Sequence, residues 1–176
     1  MNKTFLTLLA FALLAITSVR AEDKAPITPA ADGSVLLHAR DVIIHGKTVR
    51  YEPQTNKNTI GYWTKVEDWV SWDFEITKPG TFSVEILQGC GKGSGGSEVE
   101  FSVGEQVLKV TVQETGGFQN FLARDIGQIT LAKPGRYTLS VKPKTKPGVA
   151  VMDLRQVILR LATPDAGGKK TSKDKP

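Results

Sequence analysis

The residues with the clearest chemical potential are aromatic and amide side chains that occur together in two short stretches. "NTIGYW" contains Tyr62 and Trp63, and "ETGGFQNF" contains Phe118, Gln119 and Asn120. A sugar ring presents an apolar C–H face that stacks on an aromatic plane, while its hydroxyl groups need amide or carboxylate partners. The two stretches therefore predict a saccharide-binding cleft formed by loops. In the structural alternative, the phenylalanine rings only hold their loop against the core.

The three tryptophans of the chain all lie within "GYWTKVEDWVSWDF". Alternation in the second half of this stretch predicts a strand with Trp72 in the core and Trp69 on the polar face or at the end of the strand. Trp63 precedes that strand in a loop and is not part of its alternation. We predict that Trp63 flanks a ligand held by Tyr62.

Motifs for catalysis are missing from the sequence. The two histidines, His38 and His45, lack the spacing of a metal-binding pair, and no G-x-S-x-G nucleophile motif occurs. We therefore predict a non-catalytic protein that needs no cofactor. A hydrolase with an unrecognised site is the alternative, and it would need clustered carboxylates in a cleft. The loop carboxylates near the aromatic residues are Glu67, Asp68 and Glu114.

A glycine-rich stretch, "GCGKGSGGSE", is superficially like a phosphate-binding loop. Such a loop needs Ser or Thr directly after its Gly-Lys, followed by a helix whose N-terminus holds the phosphate. Here Gly93 follows Lys92, and the next segment has the pattern of a strand. The stretch is better interpreted as a flexible connection between two strands.

The two ends of the chain differ in composition from its middle. Residues 1–21 combine a basic start, an apolar run and a small-x-small ending, which predicts a signal peptide for a secreted or periplasmic protein. The apolar run is too short to span a bilayer of roughly 30 Å, so we expect no membrane span. We predict a linker at 22–32, one domain at 33–161 and a disordered lysine-rich tail at 162–176.

The formal net charge of +5 arises mostly at these ends. Lys3 and Arg20 leave with the signal peptide, and the tail carries four lysines against two aspartates, so the domain itself is near +1. A charge this small gives no basic face for nucleic acid. The tail could assist binding to a sulfated or acidic polysaccharide.

The single cysteine of the chain, Cys90, excludes an internal disulfide. Two alternatives remain open for this residue. It is either a buried thiol or one half of a bridge to another chain.

Short segments with alternating apolar and polar residues recur throughout the domain, and no segment shows convincing 3.6-residue periodicity. Two Lys-Pro-Gly sequences, at 78–80 and 133–135, predict turns. About nine short strands of this kind predict an all-β fold, an antiparallel sandwich of the jelly-roll type. The predicted inward residues are Val70, Trp72, Phe74, Ile76, Phe82, Val84, Ile86, Val99, Phe101, Val103, Leu108, Val110, Val112, Tyr137, Leu139 and Val141.

The order of several motifs is similar to that of a known family. "NTIGYW", "DWVSWDFEITKPGTFSVEI", "TGGFQNF", "LAKPGRYTLSV" and "VMDLRQVIL" follow one another and resemble the galactose-binding-like jelly rolls of the family 6 carbohydrate-binding module type. The sequence looks most like the accessory domains appended to secreted bacterial sulfatases and fucosidases. The resemblance runs from about Val35 to Leu161, and it implies a galactose-binding-domain-like fold that binds a polysaccharide or glycan.

The resemblance also implies roles for single residues. The two aromatic residues that hold the sugar in this family match Tyr62 and Phe118, and an asparagine of its site falls at Val151. The carboxylates that help to bind structural calcium are replaced in His38-Ala39-Arg40, so we predict no metal site, although Asp153 matches a late acidic position. Sulfatase activity is not implied, since the nucleophile motif Cys-x-Pro-x-Arg is absent.

A protein-interaction domain is the alternative from another functional class. The same aromatic loops would then dock a secreted or envelope protein, and the loss of the asparagine and the calcium carboxylates slightly favours this hypothesis. The shape of the surface discriminates between the two classes. An aromatic cleft lined with amides favours a sugar, whereas a broad flat apolar patch favours a protein partner.

Overall fold

The computed structural model describes residues 24–162, so the predicted signal peptide at 1–21 and the tail beyond residue 162 lie outside the described residues. The described range forms eleven strands and one 3-10 turn, Ala39–Asp41. It contains no helix of the length and apolarity that a membrane crossing needs. The strands are β1 Val35–His38, β2 Ile43–His45, β3 Arg50–Glu52, β4 Thr59–Gly61, β5 Trp69–Ile76, β6 Gly80–Cys90, β7 Glu98–Val103, β8 Gln106–Thr111, β9 Gly117–Leu131, β10 Gly135–Pro143 and β11 Asp153–Leu161.

The strands form two sheets that face each other across one core. The six-stranded sheet has the order β3-β4-β11-β6-β9, with β1 paired to the later part of β11. The five-stranded sheet has the order β2-β5-β10-β7-β8. Neighbouring strands in both sheets run antiparallel. The predicted all-β antiparallel sandwich is confirmed.

The core is built from alternate residues of the central strands. All of the predicted inward residues are buried except Leu108 and Tyr137, which are partly buried and pack against the core. In the five-stranded sheet, Leu139 of β10 lies opposite Trp72 on one side and Val103 on the other. Burying an aliphatic or aromatic side chain of this size stabilises the fold by roughly 1.5–3 kcal/mol. These layers of large side chains are therefore the main source of stability.

Trp69 lies on the outer face of β5, as its place in the alternation predicts. Its ring stacks on that of His45 at a centroid distance of 3.6 Å, and the Lys142 ammonium lies 4.4 Å from its centroid. The His45 ring also forms a hydrogen bond with the Ser71 hydroxyl at 2.9 Å. Both histidines of the chain have structural contacts, since the buried His38 accepts a hydrogen bond from the Arg40 amide.

The predicted linker at 22–32 is not separate from the sandwich in its described part. The Ile27 amide donates to the Asp73 carbonyl at 2.9 Å, and the Ile27 carbonyl accepts from the Glu75 amide at 2.9 Å. Ile27 forms a parallel bridge with Phe74 and packs against the core. An apolar side chain and two backbone hydrogen bonds therefore hold this segment along β5.

The stretch "ETGGFQNF", predicted as a loop, is strand from Gly117 onward. Gly117 lies opposite Cys90 of β6, and Leu122 lies opposite Gln88, with a break in register between the two pairs. Phe118, Gln119 and Asn120 therefore belong to the 15-residue strand β9. The prediction failed because pairing with the long strand β6 on both sides of this break continues β9 through the segment, which the local sequence does not reveal.

The glycine-rich stretch connects β6 of one sheet to β7 of the other. The Gly93 amide donates to the Glu114 carboxylate at 2.7 Å, and the Ser94 amide donates to the Gly91 carbonyl at 3.0 Å. A strand follows rather than a helix. The stretch is therefore a connection between strands, as predicted, and not a phosphate-binding loop.

Cys90 closes β6 with a fully buried, unbridged side chain. Its thiol lies 3.7 Å from the Gly91 carbonyl. Burial, together with the negative charges of Glu114 and Asp153, raises the pKa of the thiol to about 11. This environment favours the buried thiol over the intermolecular bridge.

We expect Cys90 in the folded protein to react at least about 100-fold more slowly with a thiol reagent than an exposed cysteine, because both access and thiolate content are reduced. The measurement is the rate of reaction with Ellman's reagent, with and without guanidinium chloride. A Cys90→Ser protein carrying Lys92→Cys at an exposed position is the control and should react promptly when folded. Equally rapid labelling of native Cys90 would contradict its burial.

Candidate functional site

Tyr62 faces solvent because its neighbour in the chain is fixed inside the protein. The Trp63 side chain is 0% exposed, its indole N–H donates to the Asp68 carbonyl at 2.8 Å, and its own carbonyl accepts from the Val151 amide at 2.8 Å. Tyr62 has a φ of 53°, a left-handed conformation that costs a non-glycine residue roughly 1–2 kcal/mol. Its side chain is 49% exposed. The buried indole thus holds the backbone in the conformation that presents the Tyr62 ring.

Asp68 ties the base of this turn to the segment before β3. Its buried carboxylate accepts hydrogen bonds from the Thr48 hydroxyl at 2.6 Å and from the amides of residues 47–49 at 2.8–3.1 Å. Burial alone would raise the pKa of Asp68, but these hydrogen bonds outweigh it and hold the pKa well below the usual range. Asp68 is therefore a structural carboxylate, which removes one of the candidates for hydrolase chemistry.

A cleft of about 280 Å³ opens beside Tyr62. Its walls come from three separate places: the hairpin of β3 and β4 with the turn after it, the start of β9, and the segment that leads into β11. Tyr62, Phe118 and Gln119 of the predicted site meet here. The lining residues are Glu52, Lys57, Tyr62, Thr64, Phe118, Gln119, Val149, Ala150 and Asp153.

Trp63 and Asn120, the other two predicted site residues, do not line this cleft. Trp63 lies in the core because its ring and its N–H are both satisfied there, so it positions Tyr62 instead of flanking a ligand. Asn120 is exposed, and its side-chain amide donates to the Thr115 carbonyl at 3.3 Å. The register of β9 against β6 breaks between Gly117 and Leu122, and within this break Phe118 and Gln119 line the cleft whereas Asn120 does not.

The aromatic rings of the cleft are held by their surroundings. The Phe118 ring packs so closely on Gly91 that a Cβ at Gly91 would lie 2.6 Å from the ring. The Arg50 guanidinium lies over the Tyr62 ring, 3.5 Å from its centroid, and the Lys57 ammonium lies 5.7 Å away. Such cation–π contacts contribute roughly 0.5–1 kcal/mol at exposed sites. Contacts with Gly91 and Arg50 therefore hold the Phe118 and Tyr62 rings in fixed orientations.

Two buried carboxyl groups, Glu52 and Asp153, form the polar floor of the cleft. They are 7% and 4% exposed, and a Cβ at Gly61 would collide with the Glu52 carboxylate and crowd that of Asp153. Glu52 forms an ion pair with Lys57 at 2.7 Å. Burial, and then the charge of Glu52, raises the pKa of Asp153 to about 7. Near neutral pH the Asp153 carboxyl can therefore both donate and accept hydrogen bonds.

Sequence reasoning missed most of this floor and rim. Glu52, Lys57, Thr64, Val149 and Ala150 carry no motif, and their meeting depends on strand pairing over long distances in the chain. Only Asp153 had a signal, its match to an acidic position of the resembling family. Within residues 24–162, no group of three or more His, Cys, Asp or Glu side chains could hold a metal ion.

Asp153 should make the stability of the fold depend on pH. The folded protein keeps this proton up to a pKa of about 7, whereas the unfolded chain releases it at about 4. The contribution of the protonated Asp153 carboxyl to the free energy of unfolding is therefore full below about pH 4. It is lost as the pH rises towards 7. We expect the Asp153→Asn variant to gain free energy of unfolding over the wild type across this window, by a few kcal/mol, since one pKa unit is about 1.4 kcal/mol.

The measurement is urea denaturation of both proteins at several pH values. Glu105→Gln, at the exposed turn between β7 and β8, is the control and should follow the wild type throughout. A difference between Asp153→Asn and wild type that is constant with pH, or that shrinks as the pH rises, would contradict the raised pKa.

Comparison with known proteins adds a family and a fold. A family described as a domain of unknown function, DUF5077, matches residues 44–164. No curated protein matches the chain. Similar solved structures include a family 35 carbohydrate-binding module from Clostridium thermocellum, which is 14% identical with a TM-score of 0.60 over 73% of this chain and 98% of that one.

Two further structures have the same fold. The module CBM6cm-2 from Cellvibrio mixtus lichenase 5A, solved in complex with cellotriose, is 19% identical with a TM-score of 0.54 over 73% of this chain and 97% of that one. The Podospora anserina GH26-CBM35 β-(1,4)-mannanase is 16% identical with a TM-score of 0.56 over 76% of this chain, which spans 28% of that protein. At these identities the likeness shows the jelly-roll fold of carbohydrate-binding modules. Because the matched family covers most of its length, the chain belongs to the DUF5077 family, a domain of unknown function.

Proposed function

We propose that this protein is an exported, non-catalytic carbohydrate-binding protein whose saccharide site is the cleft of Tyr62 and Phe118. The observation that carries the proposal is that two aromatic rings from separate parts of the chain line one cleft together with Gln119 and Asp153. Rings supply the stacking surface, and amide and carboxyl groups supply partners for hydroxyls. Neighbours described as carbohydrate-binding modules, one of them solved with cellotriose, support this interpretation.

Each group in the cleft has a distinct part in binding. Tyr62, backed by Arg50, offers the main stacking surface, and the smaller Phe118 ring offers a second. The Gln119 amide and the Asp153 carboxyl, 3.5 Å apart, are the partners for sugar hydroxyls. Val149, 72% exposed, adds an apolar contact at the rim. With few contacts in an open cleft, we expect millimolar to high micromolar affinity, about −4 to −6 kcal/mol.

The carboxylates support binding rather than hydrolysis. Glycosidases place two carboxyl groups on either side of the scissile bond, roughly 5–10 Å apart. In this cleft both carboxyl groups are buried and converge on Gly61, and one of them is committed to Lys57. This arrangement forms a floor beneath a ligand. In this proposal, residues 1–21 export the protein, and any catalysis belongs to a separate enzyme such as a sulfatase or fucosidase.

The distribution of exposed apolar side chains favours a glycan over a protein partner. Tyr62 and Val149 share the cleft, whereas the other large exposed apolar residues belong to different strands, β1, β8 and β9. A protein-docking surface is expected to gather such residues into a patch. The residues concerned are Leu36, Tyr62, Val107, Leu122 and Val149.

We expect Tyr62→Ala to weaken glycan binding by about 10-fold, because an aromatic stacking contact is worth roughly 0.5–1.5 kcal/mol beyond its buried area, and Phe118→Ala to weaken it less. Ligands from a glycan array of neutral and sulfated polysaccharides would be titrated by calorimetry. Trp69→Ala removes an outer aromatic ring from the opposite sheet and serves as the matched control, with unchanged affinity expected. A Tyr62→Ala protein that folds normally yet binds glycans as the wild type does would contradict the role of Tyr62 in saccharide binding.

A further inference from the structure

A second groove adjoins the aromatic cleft. Thr64 lines both cavities, so the two are neighbours along one surface. The groove has a volume of about 710 Å³, more than twice that of the cleft. Its lining residues are Gly46, Lys47, Thr64, Lys65, Val66, Glu67, Asp68 and Lys146. A chain of linked sugars that starts in the cleft has room to continue here.

Most of the charged side chains of this groove that reach solvent are cationic. Lys47 and Lys65 are exposed, and Lys146 is partly buried with its ammonium donating to the Gly148 carbonyl at 2.7 Å. Of the two carboxylates in the lining, Asp68 is buried and already accepts four hydrogen bonds from residues 47–49. Glu67 is therefore the one exposed carboxylate among three lysines in the lining of this groove.

The cleft itself extends the same charge pattern. The exposed Arg50 lies over the Tyr62 ring, and the Lys57 ammonium lies 5.7 Å from the centre of that ring and 2.7 Å from the Glu52 carboxylate. The carboxylates at this end are buried, and Asp153 is partly protonated near neutral pH. Cationic groups therefore lie at the Tyr62 ring as well as in the groove, although the domain as a whole is almost neutral.

We propose that the groove binds the anionic substituents, sulfate or carboxylate, of a saccharide chain whose neighbouring ring stacks on Tyr62. This inference rests on the proposed function and names its ligand class. Lysines act as point charges with flexible stems, so they suit either substituent. An exposed ion pair changes affinity by up to about 5-fold, and three lysines together should give a preference of about 10-fold or more. Because charges in water are screened over about 10 Å, that preference should fall with added salt.

Matched polysaccharides provide the test. Dextran, dextran sulfate and carboxymethyl dextran share one backbone, and hydroxyethyl cellulose, cellulose sulfate and carboxymethyl cellulose share another. Binding of the mature protein to each polymer is measured by affinity electrophoresis at low and high salt. Comparison of the sulfated with the carboxymethylated polymers also distinguishes sulfate recognition from carboxylate recognition. The groove variant is Lys47→Gln/Lys65→Gln/Lys146→Gln. The control, Lys78→Gln/Lys109→Gln/Lys133→Gln, removes the same charge from exposed positions elsewhere and keeps the lysine-rich tail.

The expected result is tighter binding of at least one anionic polymer than of its neutral partner, lost in the groove variant and in Tyr62→Ala but kept in the control. Groove and control variants that behave alike would overturn the inference. So would anionic binding that is independent of Tyr62. Neutral binding that depends on Tyr62 without anionic preference overturns the inference and leaves the proposed function intact. A folded wild type that binds none of these polymers and no glycan on the array would overturn both the inference and the proposed function.

Discussion

The indole of Trp63 is the point at which the core and the cleft are joined. The indole N–H donates to the Asp68 carbonyl, and the backbone carbonyl of Trp63 accepts a hydrogen bond from the Val151 amide. One buried residue thus connects the turn after β4 with the segment before β11. The Asp68 carboxylate extends the connection to residues 47–49. Between these fixed points Tyr62 adopts a left-handed backbone conformation that a tyrosine would not keep alone. Strain of this kind is tolerated where the surroundings over-determine the conformation, and it concentrates at binding sites.

The floor of the cleft shows how two buried carboxyl groups are accommodated side by side. Glu52 forms an ion pair with the Lys57 ammonium at 2.7 Å, and Asp153 lowers the cost of burial by retaining its proton up to a pKa of about 7. Gly61 leaves the space into which both carboxyl groups reach. A polar floor between aromatic walls suits a ligand with one apolar face and many hydroxyls. In our proposal, the cationic groove beside it selects among such ligands by charge.

Sequence patterns predicted the sandwich well because period-two alternation is a direct consequence of a strand with one buried face, as in β5, β6 and β7. They failed at Trp63, which lies outside any alternation and is buried with hydrogen bonds to Asp68, five residues later, and to Val151 in a distant part of the chain. They failed again at the start of β9, where a segment of loop-like composition lies between two points of pairing with β6. Residue type and family resemblance predicted Tyr62, Phe118 and Gln119 as site residues, and these three line one cleft. The approach of Glu52 to Asp153 follows from the positions of β3, β4 and β11, which no local pattern encodes.

The most direct measurement is a two-dimensional NMR titration of the labelled mature protein with an oligosaccharide identified on the array. If the cleft is the saccharide site, amide shifts should change in the turn around Tyr62, at the start of β9 near Phe118, and at Asp153, and Trp69 on the opposite sheet should stay unperturbed. Changes centred on the outer face of the five-stranded sheet, or none with millimolar glycan, would contradict the assignment of this cleft.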